Sequence, residues 1–126
     1  MGLAARGLVG DRAERKALRF LIREGLKPVT RNFRSRGGEI DLIMLHDDCL
    51  TFVEVRYRKS TRFTGPALTV DRHKQRKILR TAALFLSDKP HYARLASRFD
   101  VVAITGGVDS TIEWLQDAFR PVNSTL

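Results

Sequence analysis

Two acids interrupt apolar runs where a strand would otherwise be buried. The segments GEIDLIML (38 to 45) and LTFVEVRYR (50 to 58) read as two strands flanking His46-Asp47-Asp48-Cys49, a polar tetrapeptide of the length and type that closes a hairpin. A symmetric hairpin turning on Asp47-Asp48 pairs residues whose numbers sum to 95, which sets Asp41 opposite Glu54 and Glu39 opposite Arg56. Side chains alternate along a strand, so Glu39, Asp41 and Ile43 share one face with Phe52, Glu54 and Arg56. Opposed Cβ atoms lie ~4.5–5.5 Å apart and like charges there destabilise a sheet. An Asp/Glu pair among apolar neighbours therefore needs a cation. Mg²⁺ meets that need, since it binds oxygen at ~2.0–2.1 Å, keeps several waters and is usually held by one or two carboxylates plus substrate phosphate. The competing expectation is a Glu39–Arg56 ion pair with Asp41 and Glu54 near solvent at a sheet end. It accounts for Arg56 but not for two acids set among Ile, Leu, Phe and Val.

Helical periodicity brings further charged groups toward the same sheet. Glu14 lies one turn before Leu18 and Leu21, at the end of an apolar stripe, which points it at the sheet. With Asp11 it also satisfies a capping box, where an acid complements the helix dipole, and the pattern leaves both roles open. Lys74 lies one turn before Ile78 and Ala82 on the core-facing stripe of a second helix. Arg72, Arg76 and Arg80 recur every four residues along a neighbouring face, forming a ridge suited to phosphate contacts or, by default, a solvated face. Arg58 adds a base at the end of its strand.

The elements that must hold these groups follow in order. Asp11 to about Gly25 reads as a capped helix, and Lys27 to Thr30 as a short edge strand, because Pro28 cannot donate to a central ladder. Asn32 to Gly38 reads as a turn. After the hairpin, Thr61 to Leu68 with Gly65-Pro66 is irregular, a helix runs from near Thr69 to about Ser87, and strands follow at 98 to 105 and 111 to 115, joined by a turn at Gly106-Gly107. The ends, about 1 to 9 and 121 to 126, should fray. The expectation is a single α/β domain of 126 residues, a length that buries one core without staples.

Charge and composition narrow the function classes. The net charge of +9 is concentrated in two blocks, 12 to 36 and 54 to 80, each with nine Lys/Arg against two acids, around a stretch from 37 to 53 with four acids and no base. Two basic faces about an acidic centre suit a polyphosphate partner and a cation. Seventeen of the 23 bases are Arg, the better phosphate-recognition residue. Cys49 is the only cysteine and the three histidines stand far apart, which excludes an internal disulfide and a Cys/His zinc site. No apolar run has the length of a membrane helix, and no secretory signal opens the chain, so a cytoplasmic protein is expected.

The segments GGEIDLIML, TFVEVRYR and RFDVVAIT, with Gly10-x3-Glu14-x2-Ala17 upstream and Lys74 downstream, resemble the YraN-like family of small bacterial proteins from about Gly10 to Phe119. That family is similar to the restriction-endonuclease-like superfamily, including archaeal Holliday junction resolvases, whose sites combine an Asp, a Glu-x-Lys and often a glutamate on the first helix. The resemblance implies a mixed central sheet flanked by helices, with Asp41 as the Asp, Glu54 as the Glu, Arg56 at the Lys position and Glu14 as the helix glutamate. A guanidinium stays protonated in proteins, so Arg56 stabilises charge but does not serve as a base, and Lys74 is the candidate stand-in. The expected function is a Mg²⁺- or Mn²⁺-dependent endonuclease acting on DNA rather than RNA, branched DNA included. Asp41, Glu54 and the Val55 carbonyl would hold the metal, and two copies would pair for two symmetric cuts. The alternatives are a nucleic-acid-binding module with this fold and no chemistry, and a protein-interaction adaptor.

Overall fold

Ala13, Ala17 and Leu21 recur every four residues and are all buried, which fixes one face of helix α1 (Gly2–Arg23) against a sheet. In the computed structural model, which describes residues 2–59, 68–106 and 110–121 with side chains from residue 10 onward, α1 begins at Gly2 rather than at Asp11. The capping role expected of Asp11 and Glu14 therefore falls: both lie well inside the helix, and Asp11 pairs with Arg15 one turn on, at 3.0 Å. The helix closes with paired bonds from Gly25 to Ile22 and from Leu26 to Leu21, with Gly25 at φ 101°, a left-handed position that glycine adopts without steric cost.

Five strands follow in sequence order across one sheet: β1 (Lys27–Ser35), β2 (Gly38–His46), β3 (Cys49–Arg58), β4 (Ala96–Thr105) and β5 (Thr111–Leu115). Neighbours pair antiparallel except β3 and β4, which run parallel. A parallel pair needs a crossover, supplied by α2 (Arg72–Asp88) and the short α3 (Pro90–Ala93). Pro28 sits on the edge strand as expected. That strand is longer than expected, however: residues 32 to 35 continue it instead of forming a turn, and the chain reverses at Arg36-Gly37. Helix α2 starts at Arg72 because Asp71 caps it, its carboxylate accepting from the Lys74 N–H at 2.8 Å. The expected irregular loop, the second residue of the Gly106-Gly107 turn and the C-terminal fraying fall wholly or largely on residues outside those described.

The sheet is covered on both faces. Leu42, Met44, Val53, Val55, Val102 and Ile104 pack beneath α1, while Ile43, Leu50, Phe52, Phe99 and Val101 pack beneath Ile78, Ala82 and Phe85 of α2. Phe52 stacks on Phe99 and meets Phe85 edge-on, at centroid separations of 5.1 and 6.2 Å. The result is a three-layer α/β domain with a mixed sheet. No helix among the described residues is long and apolar enough to cross a membrane.

Candidate active site

The hairpin register runs as expected from His46↔Cys49 to Leu42↔Val53 and stops there. Had it continued, Val55 would pair with Ile40. Instead the Val55 N–H donates to the Asp41 carboxylate, Oδ2, at 2.8 Å, so a side chain takes the place of a ladder carbonyl. The neighbouring strand is irregular at the same level. Asn32 has φ 51°, a left-handed conformation that breaks strand alternation as in a bulge, and the β1–β2 register skips the Asn32/Asp41 level. Either side of it the strands exchange faces. Arg31 reaches Glu14 of α1 whereas Phe33 packs on Phe85 of α2, and Leu42 lies beneath α1 whereas Ile40 lies beneath α2.

This opening between β2 and β3 forms the floor of a cleft of about 860 Å³, lined there by Asp41, Glu54 and Val55. One wall is the β1–β2 turn with Arg34, Arg36 and Glu39, and the other is the start of α2 with Asp71, His73, Lys74 and Lys77. The cleft lies beside Glu54 and Val55 in the middle of β3, where the start of α2 and Gly10 of α1 also reach it. Both floor carboxylates are buried, and Lys74 Nζ stands 2.6 Å from Glu54 Oε2. The cation that the sequence requires for the acid pair is thus provided at Glu54 by Lys74.

Of the groups expected at the site, Asp41, Glu54, Val55 and Lys74 come together. Arg56 does not line the cleft; its Nη1 donates to the Thr69 carbonyl at 3.0 Å. Glu39 pairs with Arg34 at 3.2 Å rather than with Arg56, because the ladder that would have opposed them ends three residues earlier, before the expected Asp41/Glu54 pair as well. Arg72, Arg76 and Arg80 are exposed on α2. Arg58 stands apart from that ridge, its Nε donating to Thr105 Oγ1 at 3.1 Å and its guanidinium 3.9 Å from Glu113. Sequence reasoning missed Arg34, Arg36 and Lys77 as wall residues. Their place in the first or second basic block was the available signal.

Glu14 is 0% exposed and does not line the cleft. Its Oε1 accepts from Arg31 Nη2 at 2.9 Å and from Asn32 Nδ2 at 3.3 Å, while Glu14 Oε2 and Asn32 Oδ1 have no hydrogen-bond partner among the described residues. A buried carboxylate with one oxygen unsatisfied costs stability. Arg31 is 41% exposed and returns to water if its partner is neutralised, so no buried charge is stranded. Glu14→Gln should therefore melt about 4–8 °C higher than the parent, for a gain of ~1–2 kcal/mol. A lower melting temperature would show that the Arg31 pair more than repays the burial.

A hard-oxygen set of two carboxylates and a main-chain carbonyl is present at the floor, and in a strand the Val55 carbonyl points to the same neighbour as its N–H, toward β2. Among the described residues no three His, Cys, Asp or Glu side chains cluster closely enough to hold a metal by themselves. The set fits an ion that keeps waters and shares a substrate phosphate, not a closed cage.

The sequence profile of the uncharacterised protein family UPF0102, the YraN-like family of small bacterial proteins, matches residues 13–104, a span that holds Glu14, Asp41, Glu54 and Lys74. A UPF0102 protein of Saccharophagus degradans is 48% identical over 117 residues, covering 93% of this chain and 97% of that protein. One from Pseudomonas putida (strain GB-1) is 42% identical over 113 residues, 88% of this chain and 92% of its own. Another, from Enterobacter sp. (strain 638), is 45% identical over 119 residues, 94% and 88% respectively.

Proposed function

We propose that this chain, which belongs to the UPF0102 family, is a metal-dependent phosphodiesterase of restriction-endonuclease-like fold that cuts DNA, branched DNA included. The observation that carries the reading is the meeting of Asp41, Glu54 and Lys74 on the floor of a cleft with basic walls. A mixed sheet between helices, with the site at a break in its ladder, fits that fold. Asp41, Glu54 and the Val55 carbonyl would hold Mg²⁺ or Mn²⁺. When bound, the ion supplies Lewis-acid stabilisation of a phosphate and acidifies water for attack at phosphorus.

The protein's own residues do the rest. Lys74 places an ammonium at the floor, where charge on a phosphoryl oxygen is stabilised by a preorganised donor. Arg34, Arg36 and Lys77 hold the flanking phosphates, and the exposed Arg72, Arg76 and Arg80 extend that contact along α2. Asp41 has a second task, since its bond to the Val55 amide keeps β3 from closing the opening. The reading places the protein in the cytoplasm with DNA, and two copies act together where two symmetric cuts are made.

Cleavage of linear and branched DNA with Mg²⁺ or Mn²⁺ tests the proposal. The parent should give products, and Asp41→Ala should abolish them. Absence of products across both substrate types, or activity that survives Asp41→Ala, would rule it out. The Lys74–Glu54 contact favours one other reading, a nucleic-acid-binding module in which that ion pair is permanent and no metal enters. It requires salt-sensitive DNA affinity that Asp41→Ala leaves intact or improves, with no heat of Mn²⁺ binding.

A further inference from the structure

From residue 10 onward, the outward face of α1 is made wholly of bases. At about 100° per residue, Arg12, Arg15, Lys16, Arg19 and Arg23 fall within one ~100° band of the helix, on the side away from the buried Ala13, Ala17 and Leu21. No acid and no apolar residue interrupts that band. The four arginines are exposed, and Lys16 Nζ donates to Ser110 Oγ at 2.8 Å. Arg15 meets Asp11 on the flank of the band at 3.0 Å, but Arg12, Arg19 and Arg23 have no acidic partner among the described residues. Like charges three and four residues apart on a helix repel, and a merely solvated face ordinarily interleaves the two signs. Five cations kept together at that cost suit a partner that supplies the anions.

The place of the band identifies that partner. It starts two residues past Gly10, which lines the cleft, and the ridge of Arg72, Arg76 and Arg80 starts beside the same cleft, whose wall holds Asp71 and His73. Helices α1 and α2 cover opposite faces of the sheet, so two basic ridges leave one cleft on opposite sides of the domain. A straight duplex lying along α2 does not reach the outer face of α1, because the sheet stands between them. We propose that this outer face is a second duplex-binding surface, through which one chain holds two DNA segments at once, one along α2 and the cleft and the other along α1. This rests on the nucleic-acid reading above and adds to it an activity, the bridging of two duplexes, that cleavage does not require. Arg12 to Arg23 spans about 16 Å of helix axis, the rise of roughly five nucleotides of one strand, and guanidinium forks match phosphate oxygens without reading sequence. An anionic membrane fits less well, since a helix that lies on a bilayer turns its apolar face to the lipid, whereas that face of α1 is buried on the sheet.

The test uses the full chain with metal chelated, a blunt duplex fixed to beads and a second, fluorescent duplex of unrelated sequence in solution. The parent should carry the fluorescent duplex onto the beads. A variant with Arg12→Gln, Arg15→Gln, Arg19→Gln and Arg23→Gln should lose that capture by about tenfold or more, while its affinity for a single duplex, read by anisotropy, stays within about threefold of the parent and shows that it remains folded. Lysine at the same four positions should keep most of the capture, because it still meets phosphate as a point charge. Bridging by the two clefts of a paired protein would survive the glutamine variant. Undiminished capture by that variant, or an equal loss of its single-duplex affinity, overturns the α1 surface while DNA binding by the parent still stands. Loss of binding to phosphatidylserine vesicles with capture intact overturns it likewise and assigns the ridge to a membrane. A parent that binds no duplex overturns both the second surface and the reading beneath it.

Discussion

Lys74→Ala should cleave DNA about 10²–10³-fold more slowly than the parent, the cost of removing one preorganised donor aimed at developing charge, and at the same time bind Mn²⁺ more tightly. The two effects have one origin. Lys74 Nζ stands 2.6 Å from Glu54 Oε2, with the lysine side chain 51% exposed and the glutamate nearly buried. On the proposed reading, a divalent ion entering the parent's site would meet a carboxylate already partly neutralised. Without the ammonium, Glu54 would present its full charge, and a site of effective dielectric near 20 gives such a change room for about tenfold in metal affinity. A residue that merely braced the cleft would lower both quantities when lost. Lys74→Arg keeps the charge but exchanges a compact point donor for a planar fork, so it should recover part of the rate and reverse the gain in Mn²⁺ affinity. Single-turnover cleavage at saturating metal, paired with Mn²⁺ titration calorimetry, separates the cases. Unchanged cleavage by Lys74→Ala would remove lysine from the chemistry.

How far the site was legible depends on which interaction fixes each residue. The hairpin register could be read from a two-residue turn and two alternating runs, and it holds for every pair from His46↔Cys49 to Leu42↔Val53. Lys74 was legible for a similar reason: its spacing from Ile78 and Ala82 places it on the face that packs on the sheet. Extrapolating the ladder past Leu42↔Val53 fails, first for Asp41 opposite Glu54 and, three residues past that last pair, for Glu39 opposite Arg56, level with the left-handed backbone of Asn32 on the neighbouring strand. Nothing in a period-two pattern announces that break. Helix α1 shows the same limit. Asp11 and Glu14 have the spacing of a capping box, yet local spacing does not reveal that the helix already runs from Gly2. Glu14 was correctly aimed at the sheet, but the groups that receive it, Arg31 and Asn32, lie on an edge strand whose second half reads as a turn.

Asp100→Ala should lower the melting temperature by about 10–20 °C, for a loss of ~3–5 kcal/mol, although this acid has no place in the cleft. Asp100 is buried on the α1 face, where its two oxygens accept four bonds, each 2.9 Å: Oδ1 from Arg98 Nε and the Asp117 N–H, Oδ2 from Arg98 Nη2 and Trp114 Nε1. Burial works against the charge on Arg98, but the hydrogen-bonded carboxylate outweighs it and holds the guanidinium above its ordinary value. Arg98 Nη2 also meets His46 Nδ1 at 2.9 Å. Arginine only donates, so Nδ1 accepts there. One carboxylate thus joins β4 to the ends of β2 and β5, and truncating it strands a cation, an indole N–H and a backbone amide together. The lower end of the range is favoured because Arg98 keeps 17% of its side-chain surface in water. Asparagine does not rescue the site, since its NH₂ turns a donor toward donors on one side. Replacing both partners, Arg98→Met with Asp100→Leu, should cost less than Asp100→Ala alone, because no charge is then left buried. Melting of Asp100→Ala within about 2 °C of the parent would show that the network is incidental to stability.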